Sequence, residues 1–150
     1  MRRPHGAELT RHRPGFTIIE ITVVLAIASA LFAIALPRAW KFVDNIEVRG
    51  AVTEIESLFS LARHAAIARG QQVVLEIDQG NRTISVRAGT EVIRTREVGR
   101  AHGVGISTNR TSITYSPIGI GYGAGNLTMI VSRNRAADTI VVSRLGRVRH

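Results

Sequence analysis

The feature that most constrains this chain is the apolar run at residues 16–36, entered from Gly15 and closed by Pro37. At ~1.5 Å rise per residue, ~20 helical residues cross the ~30 Å hydrocarbon core of a bilayer. The segment before it is basic, with Arg2, Arg3, Arg11 and Arg13 against Glu8. That asymmetry places the N-terminus in the cytoplasm and everything after the run outside it. A secretory signal peptide has a shorter apolar core with a small-x-small cleavage site behind it. Here the expected cut precedes the run, between Gly15 and Phe16, so the anchor stays on the mature protein.

One carboxylate, Glu20, interrupts the run. Inside a membrane such a group costs a few kcal/mol and usually marks function. Cleavage at Gly15-Phe16 gives Phe16 a new α-amino group, which Glu20 of a neighbouring subunit is placed to pair with. The plainer alternative is a charge near the helix end that snorkels to the headgroups.

Pro37 removes one backbone donor and bends a helix without having to end it. Beyond it Trp40, Val43, Ile46, Val52, Ile55, Leu58, Phe59, Ala62 and Ala66 recur at helical steps. Asp44, Glu47, Glu54, Glu56 and Arg63 are expected mostly off that face. Gly50 is a weak spot, costing ~1 kcal/mol against alanine, and Gly70 reads as the stop. One long helix to about Arg69 is expected, with a membrane half and an amphipathic half.

Short strands follow. Val73-Val74-Leu75-Glu76-Ile77 and Thr83-Ile84-Ser85-Val86-Arg87 flank the turn Asp78-Gln79-Gly80-Asn81. Residues 91–98 alternate as a third strand, and 103–106, 112–115, 127–132 and 139–143 read as further ones. The expected fold class is α+β, a long N-terminal helix packed on antiparallel β-sheets. The divisions are 1–15, a leader; 16–36, the span; 37–70, the amphipathic helix; and 71–150, the β domain.

Charge is unevenly placed. The net +9 gathers at the C-terminal end, where residues 100–150 carry seven arginines against Asp138 alone. No cysteine is present, so neither a disulfide framework nor a thiolate metal site is available. Gly119 to Gly125 contains a Gly-x-Gly-x-x-Ala match. A dinucleotide fingerprint needs a strand before it and a helix after it, whereas strands are expected on both sides, so a loop is the better reading. His5, His12, His64, His102 and His150 lack ligand spacing, and Ser116, Ser132 and Ser143 lack a nucleophile elbow. Three Asn-x-Thr sequons, at Asn81, Asn109 and Asn126, are ordinary turn and strand sequence. No cofactor, no metal and no catalytic residue is expected.

Gly15-Phe16-Thr17-Ile18-Ile19-Glu20 followed by an apolar helix resembles the class III leader of type IV pilins and type II secretion pseudopilins. The resemblance implies a prepilin peptidase that cuts after Gly15 and methylates Phe16. It also implies an assembly role for Glu20, since Glu20 sits at the family's glutamate position. Further along, Leu61-Ala62-Arg63-His64-Ala65-Ala66-Ile67-Ala68-Arg69-Gly70-Gln71 resembles the helix end of the GspH/FimT family of minor pseudopilins. Tyr115-Ser116-Pro117-Ile118-Gly119 resembles that family's aromatic-x-Pro-x-Gly segment. Val142 to Arg149 resembles its C-terminal strand ending in Gly-Arg-x-Arg. The leader is longer than many, and the cysteine pair of some members is missing.

The resemblance implies a structural subunit at the bacterial inner membrane, its C-terminal domain periplasmic. Its implied partners are the peptidase, other pilin or pseudopilin subunits, and the inner-membrane assembly platform. Two roles are expected of such a chain. One is a minor pseudopilin of a type II secretion system, assembled by stacking N-terminal helices. The other is a FimT-like minor pilin binding DNA for uptake. Arg144, Arg147 and Arg149 are then the candidate DNA-binding residues, with Arg133 and Arg135 extending the patch. Alternation puts Arg147 and Arg149 on one face of a strand, and exposed arginines hold phosphates in a salt-dependent way.

Overall fold

A computed structural model of the chain describes residues 15–122, 126–143 and 147–149. The chain divides into two units, Met1–Pro37 and Arg38–His150. In chain order the elements are α1 (Ile18–Arg69), β1 (Val73–Asp78), β2 (Thr83–Ala88), β3 (Glu91–Arg96) and α2 (Val98–His102). They continue as β4 (Gly105–Thr108), β5 (Ser112–Tyr115), β6 (Gly121–Tyr122), β7 (Leu127–Arg133), β8 (Ala136–Val142) and β9 (Val148–Arg149).

In the first unit, Thr17 caps α1. Its Oγ1 accepts from the Glu20 N–H at 3.2 Å, the bond that makes threonine a good N-cap. Thr22 and Ser29 sit within the apolar run, and their hydroxyls donate to the carbonyls of Ile19 and Leu25 at 2.8 Å. Their polarity is thus absorbed by the helix itself. The side chains of the run are exposed almost throughout, and the helix is long and apolar enough to cross a membrane.

In the second unit α1 buries Val48, Ala51, Val52, Ile55, Leu58, Phe59, Ala62 and Ala66. These fall at steps of three and four, one stripe of the helix. The stripe differs from expectation at its start: Trp40, Val43 and Ile46 are exposed, and Asp44 is buried instead. Asp44, Val48, Ala51 and Ile55 follow one another at four, three and four residues, so helix geometry puts Asp44 on the core side. Gly70 ends α1 at φ +61°, the left-handed conformation glycine adopts without a Cβ penalty.

The strands form two antiparallel sheets, ordered β3-β2-β1-β5-β6 and β4-β7-β8-β9. Val73, Leu75 and Ile77 of β1 point to the core and Glu76 and Asp78 away from it. The β1–β2 turn closes as expected, with Asp78 accepting from the Asn81 N–H at 3.0 Å and from Asn81 Nδ2 at 2.7 Å. These bonds, the backbone one first, hold the Asp78 carboxyl below its usual range. One hydrophobic cluster draws on α1, α2 and both sheets.

Three strand expectations are corrected. The third strand stops at Arg96. Val98 instead opens the one-turn helix α2, fully buried; burial of this one side chain outweighs the alternating pattern that ran up to it. Val142 and Val148 do not lie on one strand. β8 ends at Val142, the Ser143 N–H donates to the Arg147 carbonyl at 2.9 Å, and β9 pairs back along β8. Part of the glycine-rich stretch is also a strand, β6, which pairs Gly121 with Tyr115 and Tyr122 with Thr114. The rest of that stretch, 123–125, lies outside the described residues.

Tyr115-Ser116-Pro117-Ile118-Gly119 makes the tight connection from β5 to β6. Ser116 Oγ accepts from the Ile120 N–H at 3.1 Å, and the Ser116 N–H donates to the Ile120 carbonyl at 2.8 Å. Gly119 has φ +76°, and a Cβ there would lie 2.8 Å from Cδ1 of Ile67 on α1. The segment therefore needs glycine twice, for its conformation and for the close approach.

Candidate functional site

The expected processing site lies at the helix entry. Gly15 and Phe16 precede the first turn of α1, and Phe16 is 79% exposed. The peptide bond between them is outside regular structure, the state a protease needs. Glu20 is exposed in the first turn of α1, where the helix dipole favours a carboxylate. It has no ion pair among the described residues.

The five arginines expected to form one patch divide. Arg147 and Arg149 flank half-buried Val148, both exposed. Arg149 lies opposite Val141 of β8, whose side chain points away from the core. Neither arginine has an ion pair among the described residues. Arg144 lies outside the described residues. Arg133 and Arg135 flank Asn134 at the β7–β8 turn, the other end of β8 from β9. The six steps from position 135 to 141 span ~20 Å at ~3.4 Å per residue, so these two do not extend the C-terminal pair.

Arg133 is engaged with the helix. Its Nε donates to Asp44 Oδ1 at 3.0 Å and its Nη1 to the His102 carbonyl at 2.6 Å. Asn134 Nδ2 donates to both Asp44 oxygens at 3.1 Å, from a backbone at φ 52° that asparagine tolerates. Arg135 is exposed and shares a small cleft with Lys41, Asp44, Asn45 and Ala136.

A second cluster was not singled out by sequence. The His102 ring lies between Glu47, 3.0 Å from Nδ1, and Glu54, 3.2 Å from Nε2. Glu54 also pairs with Arg96 at 3.4 Å. Three acids of α1 expected off the buried face thus each tie down another element. Asp44 holds the β7–β8 turn, Glu47 holds α2, and Glu54 holds α2 and β3. Gly50, between Glu47 and Glu54 in sequence, leaves the space that the ring occupies. The detectable signal was Asp44, whose four-residue step to Val48 continues the buried stripe. Nothing local points to His102 as its neighbour.

Electrostatic perturbation elsewhere is structural. Arg69 and Glu91 form a bidentate pair at 2.6 and 3.1 Å, which lowers the Glu91 carboxyl and raises the Arg69 guanidinium. Tyr115 is fully buried and its hydroxyl has no hydrogen-bond partner. Burial pushes that phenol up to about 12, against a smaller opposing effect of the Arg63 charge. No group of three or more His, Cys, Asp or Glu among the described residues is arranged to hold a metal ion.

The fold is a long helix, apolar and then amphipathic, whose second half packs on two antiparallel sheets. The family model for the type II transport protein GspH matches residues 51–146. The chain belongs to this GspH family of minor pilins and pseudopilins. The fold is similar to that of the type IV minor pilin FimU of Pseudomonas aeruginosa, with a TM-score of 0.60 at 16% identity, over 69% of this chain and 87% of that one. It is also similar to the minor pseudopilin EpsH from the type 2 secretion system of Vibrio cholerae. There the TM-score is 0.54 at 12% identity, over 69% and 94% of the two chains. In sequence, 60 residues are 38% identical to a fimbrial protein of Pseudomonas aeruginosa. That match spans 40% of this chain and 38% of the relative, well short of the relative's whole length.

Proposed function

We propose that the chain is a minor pseudopilin of a type II secretion system, a structural subunit and no enzyme. A prepilin peptidase removes residues 1–15 and methylates Phe16. The helix then holds the subunit in the inner membrane, the C-terminal unit on the periplasmic side, until the assembly platform adds it to a filament of related subunits. The observation that carries the reading is the helix entry. An accessible Gly15-Phe16 bond precedes a capped helix whose apolar side chains are exposed and whose first turn bears Glu20. An apolar surface of that extent needs lipid or other helices around it. Packing against equivalent helices would bury Glu20, and the Phe16 ammonium of a neighbour would offset that cost. The test follows Glu20→Ala through processing and filament assembly, with cleavage retained and assembly lost.

A second reading is favoured by one observation. Arg149 stands exposed on the last described strand and Arg147 stands exposed just before it, with no ion pair among the described residues. In a FimT-like minor pilin such a pair would hold duplex phosphates without reading sequence. Titration of the detergent-solubilised chain with duplex DNA at two salt concentrations tests it. Binding that weakens with salt and disappears in Arg147→Gln/Arg149→Gln supports uptake. No binding at low salt leaves the secretion role.

A further inference from the structure

We propose that Arg38, Trp40, Lys41 and Phe42, joined by Arg135 from the β7–β8 turn, form a collar that binds anionic phospholipid headgroups. The inference rests on the reading that residues 16–36 cross a membrane, and it adds a lipid-recognising surface to that anchor.

Every residue from 38 to 43 is exposed, and Asp44 is the first buried one. Trp40 and Phe42 are 66% and 67% exposed, a large apolar area to leave in water at ~25 cal/mol per Å². Successive helical residues turn by ~100°, so 38 and 42 share one side of α1 while 40 and 41 face two others. A partner protein covers one side of a helix, whereas a headgroup layer surrounds it. These residue types suit that layer. An indole places an apolar body beside an N–H donor, which is why tryptophan gathers at membrane interfaces. Arginine and lysine lay their methylene stems along apolar surface and extend their charge to phosphate. In sequence Trp40 stands four residues past the end of the run, ~6 Å along a helix, within the depth of a headgroup layer.

The charge is of one sign. No acid occurs from 38 to 43. Asp44, the nearest carboxylate, already accepts from Arg133 and Asn134. Arg135 shares its cleft with Lys41 and has no ion pair among the described residues, so the turn that clamps Asp44 brings a further cation beside the collar. Such a cluster favours an anionic surface over a zwitterionic one.

Trp40 is the sole tryptophan of the chain, so the collar carries its own probe. The full chain is reconstituted into vesicles of phosphatidylcholine, with or without phosphatidylglycerol. Flotation reports whether the anchor holds. Quenching of Trp40 by a lipid spin label near the headgroups, against acrylamide in the water, reports the collar. The expected result is flotation in both lipids, with Trp40 blue-shifted and quenched several-fold more by the shallow spin label than by acrylamide. Phosphatidylglycerol enhances the shift, and Lys41→Gln/Arg135→Gln loses that enhancement while still floating. Vesicles that float with Trp40 fully open to acrylamide would overturn the collar and leave the anchor standing. Failure to float would overturn both. Protection that rises with protein density and ignores lipid charge would assign the surface to other subunits and overturn the lipid proposal.

Discussion

The Cβ that Gly50 lacks would lie 3.1 Å from Cε1 of the His102 imidazole. The ring fills that space with its two nitrogens 3.0 and 3.2 Å from carboxylate oxygens of Glu47 and Glu54. Both contacts are hydrogen bonds only when both nitrogens carry protons, and a neutral imidazole satisfies one of them.

Gly50→Ala therefore sets two effects against each other. Alanine gains ~1 kcal/mol of helix propensity, but the pinned ring must move and loosen charge-assisted bonds worth ~1.5–3 kcal/mol. The expected net effect is destabilisation of about 1 kcal/mol in urea unfolding. In a His102→Ala background the same substitution should become stabilising by a similar amount. An unchanged sign in that background would remove the ring as the reason for the glycine.

Asp44 and Arg133 define a second prediction. Asp44→Ala leaves a partly buried guanidinium and the Asn134 amide without their acceptor, an expected loss of about 2 kcal/mol. Arg133→Gln should likewise lower stability and leave any DNA affinity within twofold of the parent. A large loss of DNA affinity at unchanged urea midpoint would return Arg133 to the phosphate-binding group.

Tyr115 gives a prediction with a pH signature. Burial pushes its folded phenol up to about 12, from an ordinary value of about 10. The unfolded state loses its proton first, so stability is intact below pH 10 and falls as pH rises toward 12. The fall approaches about 2.7 kcal/mol, two pKa units at 1.36 kcal/mol each. Tyr115→Phe should flatten that part of the profile. Because the hydroxyl is buried without a partner, it should also raise the neutral-pH midpoint by about 1 kcal/mol. A lowered midpoint would mean the hydroxyl is satisfied in solution.

Gly119→Ala should cost about 2 kcal/mol, since a side chain there meets both φ +76° and Ile67 at 2.8 Å. Truncating Ile67 to alanine should relieve only the steric part. Full recovery would mean the backbone conformation carries no cost.

What the sequence revealed about the fold was local. Gly70 ended the helix and Asp78 with Asn81 closed the first hairpin because the residues involved lie within a few positions of each other. Val98 was misread because its helix is five residues long and is selected by a buried side chain, with no periodicity of its own. The return of β9 along β8 was hidden for a related reason, since strand pairing is decided across the sheet. In the candidate site, the proposal for Gly15, Phe16 and Glu20 rests on spacing along one helix entry, which is local to the sequence. The partition of the arginines was not. Arg133 and Arg147 look alike in sequence, and only the partner of Arg133, Asp44 at a separation of 89 residues, tells them apart.

Glu20→Ala, followed through processing and assembly together, bears most directly on the proposed role. Gly15→Ala is its control and should leave a persistent, larger, uncleaved band. With Glu20→Ala the cleaved band should form at the parent level while the subunit is absent from sheared filaments. A Glu20→Ala subunit that enters filaments as the parent does would contradict pairing between Glu20 and the Phe16 amine.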